Sequence, residues 1–584
     1  MRRAKIVCTL GPASDDRHTI RELADAGMAV ARLNASHGTH EDRAAVIERV
    51  HAVDGAVDDP LASMLDLQGP EVRTAEVDEP IDLPAESTVR FVEGDIATPE
   101  EVGLSYSIAA VEPGDRVLLD DGRIETRVEA VDGEAVTARV VSGGELGSRK
   151  GVNIPGVDLD LDVVTDRDSR DIEVAVAGDA DFVAASFVRD ARDVFAVGEA
   201  IERHGGDVPI VAKIEREVAV ENLEAIIDAA YGVMVARGDL GVECPMEEVP
   251  IIQKQMIRRG HEEGVPVITA TEMLDSMIHE RRPTRAEASD VANAVLDGTD
   301  AVMLSGETAV GDHPVRTVEA MDRIVREVES SDEYAELREQ RVPPADDAQT
   351  DALARSARYL ARDVGASAVV AASESGYTAL KTAKYRPGVP VVAATPIDGV
   401  RRQLALSWGV TAKHVPVHDD SVEALLDDAV QATLDAGVAE SGDTVVVLSG
   451  MMTDFEGTPP TDMLKVHVAA ETLATGRGVV SGRITGPIAH VAAGDLSAVP
   501  EGAIVALPSE FDDEFQGDVH RIRGIVAAEP GMTGYAAMVA RELEIPMVSG
   551  APLPDVEDGQ IVTVDGERGV VYEGDVRSAS EDRP

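Results

Sequence analysis

Two hydrophobic patterns alternate along the first half of this chain. Short β-branched or apolar runs are separated by stretches in which apolar residues return every three or four positions. The first pattern predicts strands buried on both faces, and the second predicts amphipathic helices. Eight such runs precede residue 310, at 5–10, 28–33, 61–67, 181–186, 208–214, 232–236, 266–271 and 301–305. Eight strands with intervening helices predict an α/β fold whose parallel strands close into a (β/α)8 TIM barrel. One helix start is signposted: Pro283 precedes Thr284, and Glu287 follows at capping-box spacing.

One gap breaks the rhythm. Between residues 67 and 181 the segments VRFVEG, RVLLDDG, IETRVEAV and AVTARVV alternate in polarity and are bounded by Gly and Asp turns. They predict an inserted all-β domain over roughly 71–152, leaving 1–70 and 153–340 to the barrel. A separate α/β domain is expected over 345–475, with strands in ASAVVAAS, VPVVAAT and DTVVVLSG. A glycine- and valine-rich swivelling-type domain is expected over 476–584, around ITGPIAHV, AIVALP, GIVAAE, PMVSG and GQIVTVDGERGVVYEG. The length of 584 residues agrees with several domains rather than one core.

Charge changes the picture more than composition does. There are 109 acidic residues against 53 basic ones, a formal net charge of -56, scattered along the chain rather than gathered in a tail. Such self-repulsion loosens a compact state in dilute buffer. At about 1 M salt the Debye length falls to roughly 3 Å and the repulsion largely disappears. The reading is a protein of an extreme halophile's salt-rich cytoplasm. Nucleic acid and anionic membrane are excluded as partners by this surface. No apolar run reaches the roughly 20 residues that span a bilayer. Cys8 and Cys244 form neither a disulfide framework nor a metal-binding spacing.

Polar residues gather where the barrel strands end, the reactive end of this fold. Arg32, Asn34 and Ser36 alternate after the second run and project to one face. Asp66 ends the third run and Ser186 the fourth. Lys213 and Glu215 lie two apart at the fifth, Arg237, Gly238 and Asp239 follow the sixth, and Thr271 ends the seventh; Ser305, Gly306 and Glu307 follow the eighth. Each has a plainer reading as an ordinary loop start. Lys213 stands out because the chain otherwise prefers arginine, and a compact ammonium beside carboxylates suits a phosphoryl or enolate site. Glu215 and Asp239 offer hard oxygens for Mg2+, unless they pair with Lys213 or Arg237. Asn34, Ser36 and Asp66 make an oxygen-only cluster suited to a monovalent cation, unless they simply bond a turn.

Ten ordered motifs then carry a resemblance. KIVCTLGPAS, VARLNASHG, LDLQGPEVRT, KGVNIPG, AASFVR, KIE, VMVARGDLGVE, TATEML, RPTRAEASDVANAVLDG and MLSGETAVG resemble the pyruvate kinase family. The likeness spans roughly residues 1–475, and it implies that the insert at 71–152 is a small β-barrel lid domain over the catalytic barrel of 1–70 and 153–340. It implies phosphoryl transfer from phosphoenolpyruvate to ADP, giving pyruvate and ATP, in a cytoplasmic and allosteric homotetramer using Mg2+ (or Mn2+) and K+. Arg32 and Lys213 would neutralise the migrating phosphoryl group. Glu215 and Asp239 would hold Mg2+. Gly238, Asp239, Thr271 and Ser186 would contact phosphoenolpyruvate, with Thr271 near the carbon that becomes a methyl group. Asn34, Ser36, Asp66 and the Leu67 carbonyl would ligate K+. His37, Arg73, Asp121 and Lys150 would meet the nucleotide.

The chain departs from the family pattern in several places. Leu67 and Gln68 replace Thr and Lys, a change that accompanies K+ independence, whereas the retained Glu71 accompanies K+ dependence; the reading here is K+ dependence. Glu272 replaces Gln. The loop SESGYTALKTAKYRP resembles the family's effector-phosphate loop, so that Ser373, Ser375, Gly376 and Thr378 would cradle a phosphate. Glu374 and Tyr377 stand where Lys and Arg are usual, which leaves a sugar monophosphate or AMP as the candidate effector and an ordinary turn as the alternative. Residues 476–584 resemble the phosphohistidine domain of phosphoenolpyruvate-utilising enzymes, with Tyr535 in place of the reactive His; His490 is a remote substitute. Two other readings, a metal-dependent aldolase or mutase and a non-enzymatic binding module, leave Lys213, Arg32 and the lid without a purpose.

Overall fold

The computed structural model describes residues 2–416, 422–450, 461–511 and 513–576. The chain forms two compact units. The first comprises Met1–Asp351, Glu374–Arg386 and Ile397–Lys413; the second comprises Ala352–Ser373, Pro387–Pro396 and His414–Pro584.

In the first unit eight parallel strands close into a barrel in chain order. They are β1 (Lys5–Leu10), β2 (Val30–Asn34), β3 (Ala62–Asp66), β4 (Phe182–Ala185), β5 (Ile210–Ile214), β6 (Gly232–Ala236), β7 (Val267–Ala270) and β8 (Ala301–Leu304). Successive side chains point to opposite faces. Val7, Val30, Met64, Phe182, Val211, Met234 and Ile268 fill the barrel interior. Their neighbours Ile6, Cys8, Ala31, Leu65, Val183 and Val233 pack under the helices. Both faces are buried, which is why these strands read as unbroken apolar runs. The Thr284–Glu287 capping box forms and starts the helix Arg285–Asp297. Glu287 also accepts from the Ser276 amide and hydroxyl, at 2.7 and 2.6 Å, tying that helix to the loop after β7.

The inserted segment pairs as two sheets, rather than as the single small barrel expected. One is six-stranded, in the order Val152–Asn153, Arg116–Leu119, Ile124–Asp132, Ala135–Ser142, Thr88–Glu93, Glu101–Leu104. The other joins Ile81–Leu83 to Gly144–Leu146. Four of these strands are only two to four residues long and sit at sheet edges, too short to carry a closing ladder. Phe91, Val89, Val117, Ile124 and Val136 form the insert's own core.

In the second unit Val391–Thr395, Ala368–Ala372 and Thr444–Gly450 are parallel neighbours, and Thr461–Val468 joins antiparallel. An eight-stranded mixed sheet follows, centred on Ile561–Asp565, Arg483–His490, Ala503–Leu507 and Ile522–Ala527. Tyr535 opens the helix Tyr535–Glu542 beside it, with its ring 5.7 Å from that of Phe515. Among the described residues, no helix is long and apolar enough to cross a membrane. Both cysteines are buried and unbridged.

Candidate active site

The polar residues predicted at the strand ends converge at one end of the barrel. Register begins the assembly: Asn34 at the end of β2 lies opposite Asp66 at the end of β3. Arg32 Nε and Nη2 both lie 2.6 Å from Asp66 Oδ2, and Nη1 donates to Thr9 Oγ1 at 2.9 Å. Lys213 Nζ spends its three protons on Glu215 Oε1 at 2.7 Å, Ser186 Oγ at 2.8 Å and Asp66 Oδ1 at 3.2 Å. The Ser186 hydroxyl donates in turn to the Leu67 carbonyl at 2.7 Å. The second Glu215 oxygen accepts from the Phe187 amide at 2.7 Å. One guanidinium, one ammonium and two carboxylates from β2, β3 and β5 thus form a single hydrogen-bonded cluster, with Asp66 and Glu215 no more than 2% exposed.

Electrostatics tightens it. Burial opposes the Lys213 ammonium, but Asp66 and Glu215 outweigh burial and push its pKa above the ordinary lysine value. Burial likewise opposes the Asp66 carboxylate, while Arg32 and Lys213 hold its pKa below the usual range. Asp239 is pushed up to about 7, first by burial and then by the negative charge of Glu215. A cation between Glu215 and Asp239 would relieve that crowding. Among the described residues no group of three or more His, Cys, Asp or Glu stands ready to hold a metal alone. A cation there would complete its shell with water and substrate oxygens, the habit of Mg2+. The donor set therefore fits it.

The monovalent-cation set fits in ligand type and place, since all its donors are oxygens on the ends of β2 and β3. Three of these oxygens are already shared: Asn34 Oδ1 accepts from the Ser36 amide at 3.0 Å, Asp66 serves Arg32 and Lys213, and the Leu67 carbonyl serves Ser186.

The insert faces this cluster. The charges of Glu71 and Asp121 both act on Asp239. At the lid turn Gly122 has positive φ, and a Cβ there would lie 3.9 Å from Val242 of the helix Arg237–Glu243. Arg73 is clamped by Glu71 at 2.7 Å, and Lys150 pairs with Asp120 at 2.8 Å, next to Asp121. His37 is exposed on the wall of a cavity of about 590 Å³ that also reaches Arg32 and Asn34. Gly238 leaves open space where a side chain would stand. Thr271 lies just past β7 and is partly exposed.

Several predicted residues stand elsewhere or do other work. Arg237 forms a bidentate pair with Asp290 at 2.9 and 2.8 Å, so it is not the partner of Glu215 or Asp239. Glu215 does pair with Lys213, as the plainer reading had it. In the loop resembling an effector site, Gly376 takes φ 76° and caps the helix Tyr377–Lys384, Ser375 Oγ accepts from the Tyr377 amide at 3.4 Å, and Thr378 is buried. Ser373 bonds through its amide to the Ala394 carbonyl at 3.0 Å. His490 is held by Asp558 at 2.8 Å.

Sequence reasoning missed Asp168. This buried carboxylate accepts from Thr165 Oγ1 at 2.6 Å and from the Gly69 amide at 3.0 Å, holding the turn after Asp66, Leu67 and Gln68. The T-x-x-D spacing of Thr165 and Asp168 was the available signal. Thr9 was also missed; no local pattern marks its contact with Arg32.

Fold and site define a (β/α)8 barrel with a β insertion facing a cluster of one guanidinium, one ammonium and two carboxylates. Comparison with known proteins gives the particular family. Residues 1–318 match the pyruvate kinase barrel domain, 351–467 the pyruvate kinase alpha/beta domain, and 499–569 the mobile domain of PEP-utilising enzymes. The pyruvate kinase of Geobacillus stearothermophilus is 42% identical over 98% of this chain and 99% of its own length. That of Staphylococcus aureus (strain MRSA252) is 39% identical over the same shares. The crystal structure of a Cryptosporidium parvum pyruvate kinase superposes with a TM-score of 0.75 at 34% identity, covering 80% of this chain and 96% of that one. The chain belongs to the pyruvate kinase family.

Proposed function

We propose that the chain moves the phosphoryl group of phosphoenolpyruvate to ADP, giving pyruvate and ATP, and that the cluster around Lys213 is where it happens. The supporting observation is the convergence of Arg32 and Lys213 on Asp66 and Glu215 at the barrel mouth. Phosphoryl transfer needs positioning and charge neutralisation more than covalent chemistry. Lys213 stays protonated, and it faces both the migrating phosphoryl group and the enolate oxygen left behind. Arg32, fixed in orientation by Asp66 and Thr9, offers its fork to the phosphoryl oxygens. The amides of Gly238 and Asp239, with Thr271 and Ser186, receive the substrate carboxylate. His37, Arg73, Asp121 and Lys150 receive ADP, and the insert shuts out water that would hydrolyse the phosphoryl group.

Glu215 and Asp239 would hold Mg2+, and Asn34, Ser36, Asp66 and the Leu67 carbonyl would hold K+; bound there, the cations supply positive charge to the phosphate oxygens. The division into 1–70 with 153–340, 71–152, 345–475 and 476–584 belongs to the same proposal. So do a cytoplasmic, high-salt setting, a homotetramer and a phosphorylated effector. The test is to incubate the purified chain with phosphoenolpyruvate, ADP, MgCl2 and concentrated KCl. Pyruvate and ATP should form in equal amounts; an aldolase or mutase would form no ATP.

A further inference from the structure

Between β2 and the helix His40–Asp54, residues 35–38 form a short loop whose backbone is tied at both amides and carbonyls. The amides bond to strand ends: Ala35 donates to the Asp66 carbonyl at 2.8 Å, Ser36 to Asn34 Oδ1 at 3.0 Å and His37 to the Asn34 carbonyl at 3.2 Å. The carbonyls bond to two guanidiniums. Arg167 Nη2 donates to Ala35 at 2.6 Å, and Arg43 Nη1 donates to His37 at 2.8 Å and to Gly38 at 3.2 Å. Arg43 is itself anchored. Its Nε donates to Asp171 Oδ1 at 2.8 Å, and Nη2 lies 2.5 Å from the same oxygen. Asp171 stands on the helix Asp166–Ala177, 128 positions along the chain and beyond the insert. Both side chains are buried, so molar salt does not screen this pair as it screens surface pairs. The second Asp171 oxygen is buried without a partner; burial pushes the carboxyl up, and Arg43 is the first charge to oppose that. His40 Nε2 lies farther off, 3.4 Å from Oδ1. The His37 ring is exposed on the wall of the cavity of about 590 Å³, a wall that Arg43 shares.

An exposed ring recognises a ligand well only when the backbone beneath it is already ordered, because ordering it on binding subtracts from affinity. We propose that Arg43, anchored by Asp171, is a positioning residue for the nucleotide: by bonding the His37 and Gly38 carbonyls it fixes the backbone from which His37 meets ADP. The inference rests on the reading of His37 as a nucleotide contact. An arginine suits the task because one fork reaches a carboxylate and two carbonyls at once; a lysine ammonium reaches Asp171 but gives up the shared geometry. Lys213 and Arg32 take their orientation from Asp66, Glu215, Ser186 and Thr9. Loss of Arg43 therefore acts on ADP and spares phosphoenolpyruvate.

The experiment is steady-state pyruvate formation by the full chain in concentrated KCl, with ADP and phosphoenolpyruvate varied in turn. Calorimetric titration with ADP and MgCl2 and thermal melts accompany it. Removing Arg43 alone strands the Asp171 charge and can unfold the chain, so the two are replaced together, Arg43→Met with Asp171→Leu, which leaves neither charge of the pair unbalanced. In that double variant KM for ADP and the dissociation constant of ADP should each rise about tenfold, with KM for phosphoenolpyruvate near its original value. Arg43→Lys, which keeps the ion pair, should melt near the unaltered chain and raise KM for ADP by a smaller factor. Unchanged KM for ADP in the variants that fold overturns the proposal. So does a parallel rise in both KM values, which would mark general loosening of the barrel mouth and reduce the pair to a structural one. The unaltered chain separates the two readings. No ATP from it defeats phosphoryl transfer itself, whereas ATP formed with an ADP affinity indifferent to Arg43 defeats only the positioning role.

Discussion

Asp168 Oδ1 accepts a hydrogen bond from the Gly69 amide at 3.0 Å, joining the first turn of one helix to the turn that carries Asp66 and Leu67. The other carboxylate oxygen completes the Thr165 capping box. Gly69 sits at φ +68°, and a Cβ there would meet the Phe187 ring at 3.0 Å and the Ser186 Cβ at 3.1 Å, so the turn has little freedom of its own.

Replacing Asp168 should therefore affect the site as well as the helix. Asp168→Ala should lose a cap worth about 1 kcal/mol and also raise KM for phosphoenolpyruvate. Thr165→Ala should lower the melting temperature while leaving KM near its original value, and Asp168→Asn should recover part of the KM effect. Steady-state kinetics beside thermal melts of the three variants checks this. Equal KM in all of them would reduce Asp168 to a helix cap.

How much was visible beforehand depended on how local the cause was. All eight barrel strands were legible because burial on both faces writes itself as an apolar run; their observed ends differ from the expected ones by two residues at most. The Thr284–Glu287 box was legible because its two partners are three residues apart. In the insert, the four short edge strands did not show. Ile81–Leu83, Glu101–Leu104, Gly144–Leu146 and Val152–Asn153 are too short to set a period. The pairing of Arg237 with Asp290 joins residues 53 positions apart, and nothing in either neighbourhood announces it. At the site, the residue types on the strand ends were legible, but the sharing of Lys213 among Asp66, Glu215 and Ser186 follows only from closure of the barrel.

Acid should find a weak point at His261. Its Nε2 lies 2.7 Å from the Lys384 carbonyl, and the ring's pKa is pushed down to about 3 by burial first, then by the nearby Arg386. The unfolded histidine titrates near 6.5, so the unfolded chain binds the extra proton between pH 6.5 and 3. Stability falls as pH drops through that window, by about 1.4 kcal/mol per pH unit from this residue. His261→Gln keeps a donor for the carbonyl and removes the titration. The difference between wild-type and variant urea midpoints should shrink with acidification in that window, in the variant's favour; a constant difference would count against the assignment.

Salt should act in the opposite sense to its effect on most enzymes. With a formal charge of -56, self-repulsion is strong in dilute buffer and screened at about 1 M salt. Melting temperature and pyruvate formation should both rise with KCl across the molar range. Full activity in low-salt buffer would remove the inference of a salt-rich cytoplasm.

Lys213→Met tests the centre of the account. The change strips the proton donor shared by Asp66, Glu215 and Ser186 and leaves buried carboxylates short of a partner, at a cost of about 3–5 kcal/mol, so melting is followed in the same concentrated KCl. Pyruvate is measured directly from phosphoenolpyruvate and ADP. In the variant that remains folded, kcat should fall by about 10³-fold or more, with ADP still bound; turnover within a few fold of the unaltered chain would contradict the placement of phosphoryl transfer at this ammonium.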